Sequence, residues 1–585
     1  MNQNFSLNER GVFVEFSRHT DNGPVTELRW ISSPIRVTAL VSSSTNREWT
    51  RLLEVTDQDG TIHRWPMPME MLAGDSTELR RALLNLGATL ENDAFSRSQL
   101  VRYLGTSTPD RRITCTRTAG WYDSPRGWRY VLADTAIGGD DVVLVSDAST
   151  ESNMTCQGTL SDWQTNIGRF FGENTRLVFG ACCAFASSLL GVIGAESRGY
   201  HFRGASSLGK TTLLVATGSI LGGGPRNGFV RSWRSTANGL EATAAISNDS
   251  LLLLDELGQL DPQVACEAAY LLCNGMGKRR ANQHGEARKS AEWRLIFLSS
   301  GELSLGDLLR NANRRFATAG QKVRVIDLDA DSGVHGLFEN LHGFASASDF
   351  ANYLKVAAKQ HFGTPFREFL RFILSHDREA LAAQVRDSIK TFVGKNVPIM
   401  CDAQIRRVGE GFGLLAIAGA LAQESGILPI GKDEPVTACQ KMFANWLQRR
   451  GTHGSSEIQQ LIAIVEDFFQ RNASSRFEIL PNPNDCLHDV SNPKRVIHDR
   501  AGFRKTEDGG TSFYLFPATF NEEICRGNFD PAWAKRELAE RGLLVRSADG
   551  RMTEKLKIPG ETVRPRFLRF SSTVLGGSEA HDDLV

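Results

Sequence analysis

The sequence lacks an excess of charge of either sign, because 67 lysines and arginines balance 67 aspartates and glutamates. Without a globally basic surface, any contact with nucleic acid must be a local patch. Although there are ten cysteines, the sequence has no Cys-x-x-Cys pair and no histidine cluster at zinc-finger spacing. This favours buried or free thiols in a reducing cytosol. The first residues also lack the pattern of a signal peptide, so we expect a cytoplasmic protein.

One uncharged run needs a separate explanation. The nineteen residues from Leu177 to Ala195 contain no charged side chain, which is long enough for a membrane-spanning helix. The run is rich in glycine, alanine, serine and cysteine rather than leucine and isoleucine, and it leads directly into a predicted strand. We therefore predict a buried core helix and no membrane partner.

The pattern of elements divides the chain into four predicted regions. Residues 1–150 form a β-rich domain, with strands at Val12 to Phe16, Ile35 to Val41 and Leu52 to Val55. A turn at Asp57 to Gly60 and a helix capped by Ser76 follow. The other regions are an α/β core at 151–335, a helical lid region at 336–475 and a C-terminal domain at 476–585. In the last, a helix, a turn, a helix and a hairpin through Asp549 and Gly550 predict a winged helix.

The strongest motif is a complete phosphate-binding loop between a strand and a helix. It runs from Gly204 to Thr211, and its two glycines are separated by four residues. Backbone amides of such a loop surround phosphates, Lys210 supplies a charge, and the Thr211 hydroxyl can bind Mg²⁺. We expect ATP to bind here, through the following residues: Gly204, Ser206, Ser207, Gly209, Lys210, Thr211 and Thr212.

A second motif follows about 45 residues later, where four leucines precede Asp255 and Glu256. A carboxylate at the end of a buried strand can bind Mg²⁺, which is the role we assign to Asp255 together with Thr211. Glu256 would then polarise the attacking water. A buried strand followed by a charged turn without a catalytic role would have the same sequence pattern, but the phosphate loop upstream favours the catalytic interpretation.

Two further catalytic positions follow from the next strands. Ser300, with Ser299 as the alternative, ends the third strand and can orient the attacking water. An arginine from a neighbouring subunit is also needed in a ring ATPase. Arg324 is our choice because it begins the fourth strand, and Arg314 and Arg315 are the alternatives. Each of these arginines is also compatible with a solvated surface position.

A basic segment lies between the second and third motifs. It has five lysines and arginines, with His284 and Gly285 near its centre, where a hairpin would turn. Basic residues on a hairpin that projects into a ring can bind the backbone of a nucleic-acid strand, although a solvated hairpin without a partner has the same composition. The predicted DNA-binding residues are Lys278, Arg279, Arg280, His284, Arg288 and Lys289.

The motifs together resemble one known family, the "domain of unknown function 927" family. The resemblance is carried by the phosphate loop, by the segments Trp233 to Glu241, Leu251 to Gly258 and Leu298 to Glu302, and by the segment Ala319 to Arg324. Weaker matches extend over nearly the whole chain, including Gly120-Trp121 and Phe443 to Gly451. Its best-understood members are similar to the Cch-type helicases of mobile elements, which are related to superfamily 3 and to the MCM helicases.

The resemblance implies an AAA+ P-loop ATPase core in a homo-oligomeric ring, expected to be a hexamer, that moves on single-stranded or forked DNA with ATP and Mg²⁺. It favours Arg324 as the arginine acting in trans and Arg407, or Arg406, as a second nucleotide sensor. It also places the segment Lys278 to Lys289 in the pore. One departure is that superfamily 3 relatives often have asparagine at the position of Ser300. No primase signature is present, so priming requires a separate primase or polymerase.

The expected function is therefore an ATP-dependent DNA helicase that replicates a mobile element or prophage. The alternative is a DNA-dependent ATPase that acts as an initiator, a loader or a defence sensor without processive unwinding. In the predicted winged helix, four basic residues can contact duplex backbone or simply form an exposed helix face: Lys535, Arg536, Arg541 and Arg546.

Overall fold

The structure is a computed structural model. It describes residues 4–20, 23–43, 47–145, 153–223, 229–234, 236–259, 261–277, 280–281, 287–288, 290–304, 307, 324–399, 401–450, 456–480, 497–507, 510–526, 529–558 and 563–575. The chain divides into two compact units. The larger contains residues 1–312, 321–397 and 406–449, and the smaller contains residues 313–320, 398–405 and 450–585. The four-region division made from the sequence stays a prediction.

The N-terminal part of the larger unit contains three small sheets and two helices. Their strand orders are β1-β2-β3, β11-β7-β4-β5-β6 and β10-β9-β8. The elements are β1 Phe5–Asn8, β2 Gly11–Thr20, β3 Gly23–Ser32, β4 Ile35–Ser43, β5 Thr50–Thr56, β6 Ile62–Pro68, α1 Thr77–Asn85, α2 Ala94–Thr106, β7 Arg112–Thr116, β8 Gly120–Ser124, β9 Gly127–Val131, β10 Ala136–Ile137 and β11 Val142–Leu144.

The predicted turn between β5 and β6 forms because Asp57 accepts two backbone hydrogen bonds. Its Oδ1 atom accepts from the amides of Asp59 and Thr61, at 3.0 and 2.8 Å. Ser76 occupies the N-cap position of α1, as predicted, but its side chain does not cap the helix. Ser76 makes no capping hydrogen bond, and Asp75 instead accepts from the amide of Thr77 at 3.1 Å.

A five-stranded parallel sheet forms the centre of the larger unit, as the alternating strands and helices predict. Its strand order is β13-β14-β17-β12-β18. The elements are α3 Leu160–Asn166, α4 Thr175–Ile193, β12 Arg198–Arg203, α5 Lys210–Leu221, β13 Arg231–Ser232, α6 Ala237–Ile246, β14 Ser250–Asp255, α7 Pro262–Asn274, β15 Arg280–Ala281, β16 Ala287–Arg288, β17 Leu295–Gly301 and β18 Val325–Asp329.

Both faces of this sheet are covered, which explains why β14 consists of consecutive leucines. Leu252 and Leu254 pack with Leu272 of α7 in one hydrophobic cluster. Helices α4 and α5 contact the same sheet through β14 and β17. Parallel strands covered in this way present their carboxyl ends, and the loops that follow them, at one edge.

Helix α4 is the uncharged run of the sequence, and it is a core helix as predicted. By length and composition it could cross a membrane, but 94% of its apolar window is buried inside the protein. It packs against α5 and the central sheet. Cys182 and Cys183 on this helix are buried free thiols, and all eight cysteines assigned within the described residues are free.

Helices follow the central sheet, within the region 336–475 that was predicted to be helical. They are α8 Ala347–Ala357, α9 Thr364–Leu374, α10 Arg378–Asn396, α11 Ala403–Glu424 and α12 Glu434–Arg450. Polar caps fix where several of them begin: the Ser346 hydroxyl accepts from the amide of Asp349 at 3.1 Å, and Asp377 accepts from the amide of Ala380 at 2.9 Å.

The smaller unit is a mixed sheet packed against helices. Strands β19-β20-β21-β24-β22 are in that order, and β23 also pairs with β24. The elements are α13 Ser456–Asn472, β19 Phe477–Ile479, β20 Gly502–Glu507, β21 Gly510–Leu515, α14 Pro517–Thr519, a π-helical turn Phe520–Cys525, α15 Pro531–Glu540, β22 Leu544–Val545, β23 Glu554–Lys555 and β24 Arg566–Ser571.

The two strands on either side of the predicted turn at Asp549 and Gly550 do not form a separate two-stranded wing. Both β22 and β23 pair with β24 instead. The reason is that β24 is apolar on both faces: Phe567, Leu568 and Phe570 are all buried, so it occupies a central position. The winged-helix interpretation, including contacts of Lys535, Arg536, Arg541 and Arg546 with DNA, stays a prediction.

Candidate nucleotide site

The phosphate loop joins β12 to α5, and its backbone requires unusual conformations. Gly209 has φ +102°, a conformation that favours glycine, and a Cβ atom there would lie 3.2 Å from the Cβ of Leu337. Ser207 also has positive φ, at +65°. The loop therefore turns sharply just before α5 and directs backbone amides at the helix N-terminus, where anions bind favourably.

Lys210 lies across this loop. Its Nζ atom donates to the carbonyl oxygens of Gly204 and Ala205, at 2.8 and 2.6 Å. Partial burial lowers the pKa of Lys210, while the carboxylates of Glu302 and Asp255 act against that shift. The amine is thus held within the loop that would surround a phosphate, and carboxylates nearby favour its charged form.

Three side chains from three different elements meet near the phosphate loop, namely Thr211, Asp255 and Ser300. The Thr211 hydroxyl donates to Asp255 Oδ2 at 3.0 Å, and the Ser300 hydroxyl donates to Asp255 Oδ1. The strand order explains this, because β17 lies between β12 and β14 and brings Ser300 between the phosphate loop and Asp255. A threonine hydroxyl beside a carboxylate at a phosphate loop is a donor set that fits Mg²⁺.

Glu256 follows Asp255 in a strained conformation. Its φ angle is +62°, in the left-handed region, and its amide donates to Ser300 Oγ at 3.2 Å. Non-glycine residues in this region cost free energy and are concentrated at functional sites. Glu256 lines the same cavity as Lys210 and Thr211.

Ser299 has a different environment from Ser300. Ser299 Oγ accepts from Trp233 Nε1 at 2.8 Å and lies 3.0 Å from His201 Nδ1, and His201 Nε2 lies 3.0 Å from the carbonyl oxygen of Leu303. Since a carbonyl can only accept, His201 Nε2 must donate and Nδ1 must accept from Ser299. The chain Trp233–Ser299–His201–Leu303 is therefore fully satisfied with neutral histidine.

This buried series of hydrogen bonds was not predicted from the sequence. It fixes the end of β17, which carries Ser300, and the segment that follows this strand, which carries Glu302. Burial lowers the pKa of His201 to about 4, so the ring is neutral at physiological pH. Of the two serines, the geometry gives Ser299 a positioning role and leaves Ser300 facing Asp255.

A pH dependence of stability follows from His201. In the unfolded chain the ring binds a proton near its ordinary pKa of about 6.5, and in the folded chain only near 4. The stabilising effect of neutral His201 is complete above about pH 6.5 and is lost as pH falls toward 4, by about 2 kcal/mol at pH 5. Thermal unfolding between pH 5 and 7.5 should show this loss in the wild type.

The matched control for that prediction is His201→Gln. Its amide can keep a donor toward Leu303 but does not titrate. We expect the melting temperature of this variant to fall less than that of the wild type as pH decreases. Parallel melting curves for the two proteins would contradict the neutral-histidine assignment.

The predicted arginines lie at the opposite edge of the sheet. Arg324 directly precedes β18, and its guanidinium lies 3.9 Å from the Glu196 carboxylate. The carbonyl of Arg407 accepts from Arg198 at the beginning of β12, at 3.3 Å. The structure therefore does not bring Arg324 or Arg407 to the phosphate loop of their own chain. The alternatives Arg314 and Arg315 lie outside the described residues, and the exposed Arg406 does not line the cavity.

The described residues of the basic segment pair as two short antiparallel strands, β15 and β16. Arg280 is opposite Arg288 and Ala281 is opposite Ala287, and Met276 and Glu292 form a bridge in the same register nearer the sheet. The backbones of Arg280 and Arg288 are described, but not their side chains. Four other predicted DNA-binding residues lie outside the described residues: Lys278, Arg279, His284 and Lys289.

Most of the phosphate loop lines one cavity of about 890 Å³, together with Asp255, Glu256, Ser300 and Glu302. Its size is in the range of about 300 to 1,000 Å³ that small-molecule sites have. Of the residues predicted for the nucleotide site, Gly204, Arg324 and Arg407 do not line it. Residues that the sequence did not indicate form the remaining wall, and they include His335, Phe338, Asn352 and Lys355. No sequence motif identifies them, because they come from the region after β18.

The chain has clear similarity to known proteins. The family model for a domain of unknown function, DUF927, matches residues 5–292. The solved structure named "SCCmec type IV Cch - active helicase" has a TM-score of 0.68 and 16% identity, and the match covers 98% of each chain. At this identity the likeness shows a shared fold. The structure of the NrS-1 C-terminal region, at TM-score 0.25 and 7% identity over 70% of this chain and 90% of that one, is too distant to support an argument. No curated protein matches the chain.

Proposed function

The chain belongs to the DUF927 family through residues 5–292, and from this premise we propose that it is an ATP-dependent DNA helicase. The observation that carries the proposal is the meeting of Thr211, Asp255 and Ser300 at the phosphate loop. This arrangement supports hydrolysis of a nucleoside triphosphate. The fold similarity to a protein named as an active helicase supports the use of that hydrolysis for strand separation.

The residues have the following proposed roles. The amides of the loop and Lys210 bind the β- and γ-phosphates, and Thr211 and Asp255 hold Mg²⁺. The bound metal ion would neutralise charge that develops on the phosphates. Glu256 accepts a proton from the attacking water, and Ser300 holds both Asp255 and the amide of Glu256 in place.

We infer that the working assembly is an AAA+ ring, a hexamer in the simplest case. Arg324 and Arg407 lie on the sheet edge away from the phosphate loop of their own chain, which supports action on a neighbouring subunit's nucleotide. The ribbon of β15 and β16 extends from the core and would contact single-stranded DNA in the central pore. Replication of a mobile element is the biological role that we propose.

The hairpin assignment predicts how DNA affects hydrolysis. Replacing Lys278, Arg279 and Arg280 together with alanine should leave hydrolysis without DNA near the wild-type rate but abolish its stimulation by single-stranded DNA, because phosphate contacts dominate such binding. Phosphate release measured with and without a DNA oligonucleotide checks this. Stimulation equal to that of the wild type would show that the hairpin has no DNA partner.

An initiator or loader would give a different result in the same assays. Such a protein would hydrolyse ATP and form rings on DNA without displacing a strand. Unwinding of a forked duplex with Mg²⁺ and ATP, over a range of salt concentrations, distinguishes the two. Ring assembly without strand displacement would favour the initiator and contradict the helicase proposal.

A further inference from the structure

One wall of the nucleotide cavity belongs to no motif in the sequence. It is a face of α8, formed by Ala347, Ser348, Ala351, Asn352 and Lys355. These positions recur every three or four residues, so they lie on one side of the helix, while Phe350 and Leu354 on the other side are buried in the core. We propose that this face binds the nucleoside and that Asn352 selects adenine, an inference that rests on the proposed function.

The polar side chains of this face have no protein partner within the described residues. Ser348, Asn352 and Lys355 form no hydrogen bond or ion pair there, although all three line the cavity. The neighbouring polar residues are different, because Ser346 and Asp349 bond to each other at 2.7 Å. Three free polar groups that face one cavity provide contacts for a polar ligand.

The topology places this wall at the nucleoside end of the site. Asp255 and Ser300 come from β14 and β17, on one side of β12, while the segment that leads to α8 follows β18, on the other side. The terminal phosphate must lie near Asp255 and Glu256 for hydrolysis. The other end of the nucleotide then extends across the loop toward α8, where Phe338 packs between Gly209 and Phe350.

The chemistry of Asn352 matches adenine. An amide presents one donor and one acceptor side by side, which pair with N7 and the N6 amine of adenine. Guanine presents two acceptors, N7 and O6, to the same amide. No carboxylate of α8 lines the cavity to bind the N1–H and N2–H groups of guanine. Ala347 and Ala351 leave an apolar surface for the base, and Lys355, which only donates, suits the sugar hydroxyls or phosphates.

The test measures binding and hydrolysis separately. Displacement of a fluorescent ATP analogue by ATP, GTP and ITP gives relative affinities, and phosphate release gives kcat/KM for the same nucleotides. We expect the wild type to prefer ATP over GTP by about 5- to 150-fold. Asn352→Ala should reduce that ratio toward one, because it removes the amide that distinguishes the N6 amine of adenine from O6 of guanine.

Two further variants separate base recognition from other effects. Lys355→Met should weaken ATP and GTP by the same factor, and Val356→Ala, an exposed position of α8 outside the cavity, should change neither. Equal affinity of the wild type for ATP and GTP, or an unchanged ratio in Asn352→Ala, would overturn the inference. If ATP is preferred in binding but never hydrolysed, the nucleoside site stands and the proposed helicase function fails.

Discussion

Glu256→Gln is expected to bind ATP with nearly wild-type affinity and to hydrolyse it about 100- to 10,000-fold more slowly. Glutamine keeps the size of the side chain and the backbone bond to Ser300 but cannot accept a proton from water. A fluorescent ATP analogue measures binding, and phosphate release measures hydrolysis. The variant should also remain bound to DNA in the presence of ATP, because the nucleotide is not turned over.

Substitutions of two other carboxylates serve as controls for the Glu256 experiment. Glu302 lines the same cavity, so Glu302→Gln shows whether hydrolysis depends on Glu256 in particular. Glu379→Gln, on the exposed surface of α10, controls for the loss of any carboxylate. A larger loss of kcat in Glu302→Gln than in Glu256→Gln would show that Glu302, and not Glu256, activates the water.

Lys210→Ala is expected to lose nucleotide binding itself. Removal of a charged partner from a partly buried phosphate contact weakens affinity by about 30- to several-thousand-fold. Hydrolysis should therefore fall below detection at ordinary ATP concentrations. Equilibrium binding of the fluorescent analogue checks this directly, since loss of turnover alone would not separate Lys210 from Glu256.

The matched control for Lys210 is Lys390→Ala. Lys390 is an exposed lysine of α10 that pairs with Asp387 at 2.9 Å. The Lys390→Ala variant should bind and hydrolyse ATP as the wild type does. Retained nucleotide binding in Lys210→Ala would contradict the phosphate-loop assignment, whatever the effect on rate.

The sequence predicted the catalytic half of the site because that half is local. The phosphate loop, Asp255 and Glu256 each occur directly at the end of a strand, and parallel strands bring their carboxyl ends to one edge. Four consecutive leucines in β14 were enough to identify a strand that is buried on both faces. The structure places these groups around one cavity, as that reasoning requires.

The other half depends on contacts between distant residues and could not be predicted in the same way. His201, Ser299 and Trp233 come from three separate elements, and only the register of β12 against β17 brings His201 beside Ser299. Asn352 has no motif around it, and its place in the site depends on how α8 packs on α5. Strand pairing in the smaller unit was also not predicted. The partner of a short strand such as β22 is determined by packing in the hydrophobic core and not by the adjacent turn.

The central claim is that hydrolysis at Lys210, Asp255 and Glu256 drives separation of DNA strands. The most direct measurement is displacement of one strand from a forked duplex, followed with Mg²⁺ and ATP, with a non-hydrolysable ATP analogue, and with the Glu256→Gln variant. We predict displacement by the wild type with ATP and none in the other two reactions. No displacement with ATP, or equal displacement with the non-hydrolysable analogue, would contradict the account.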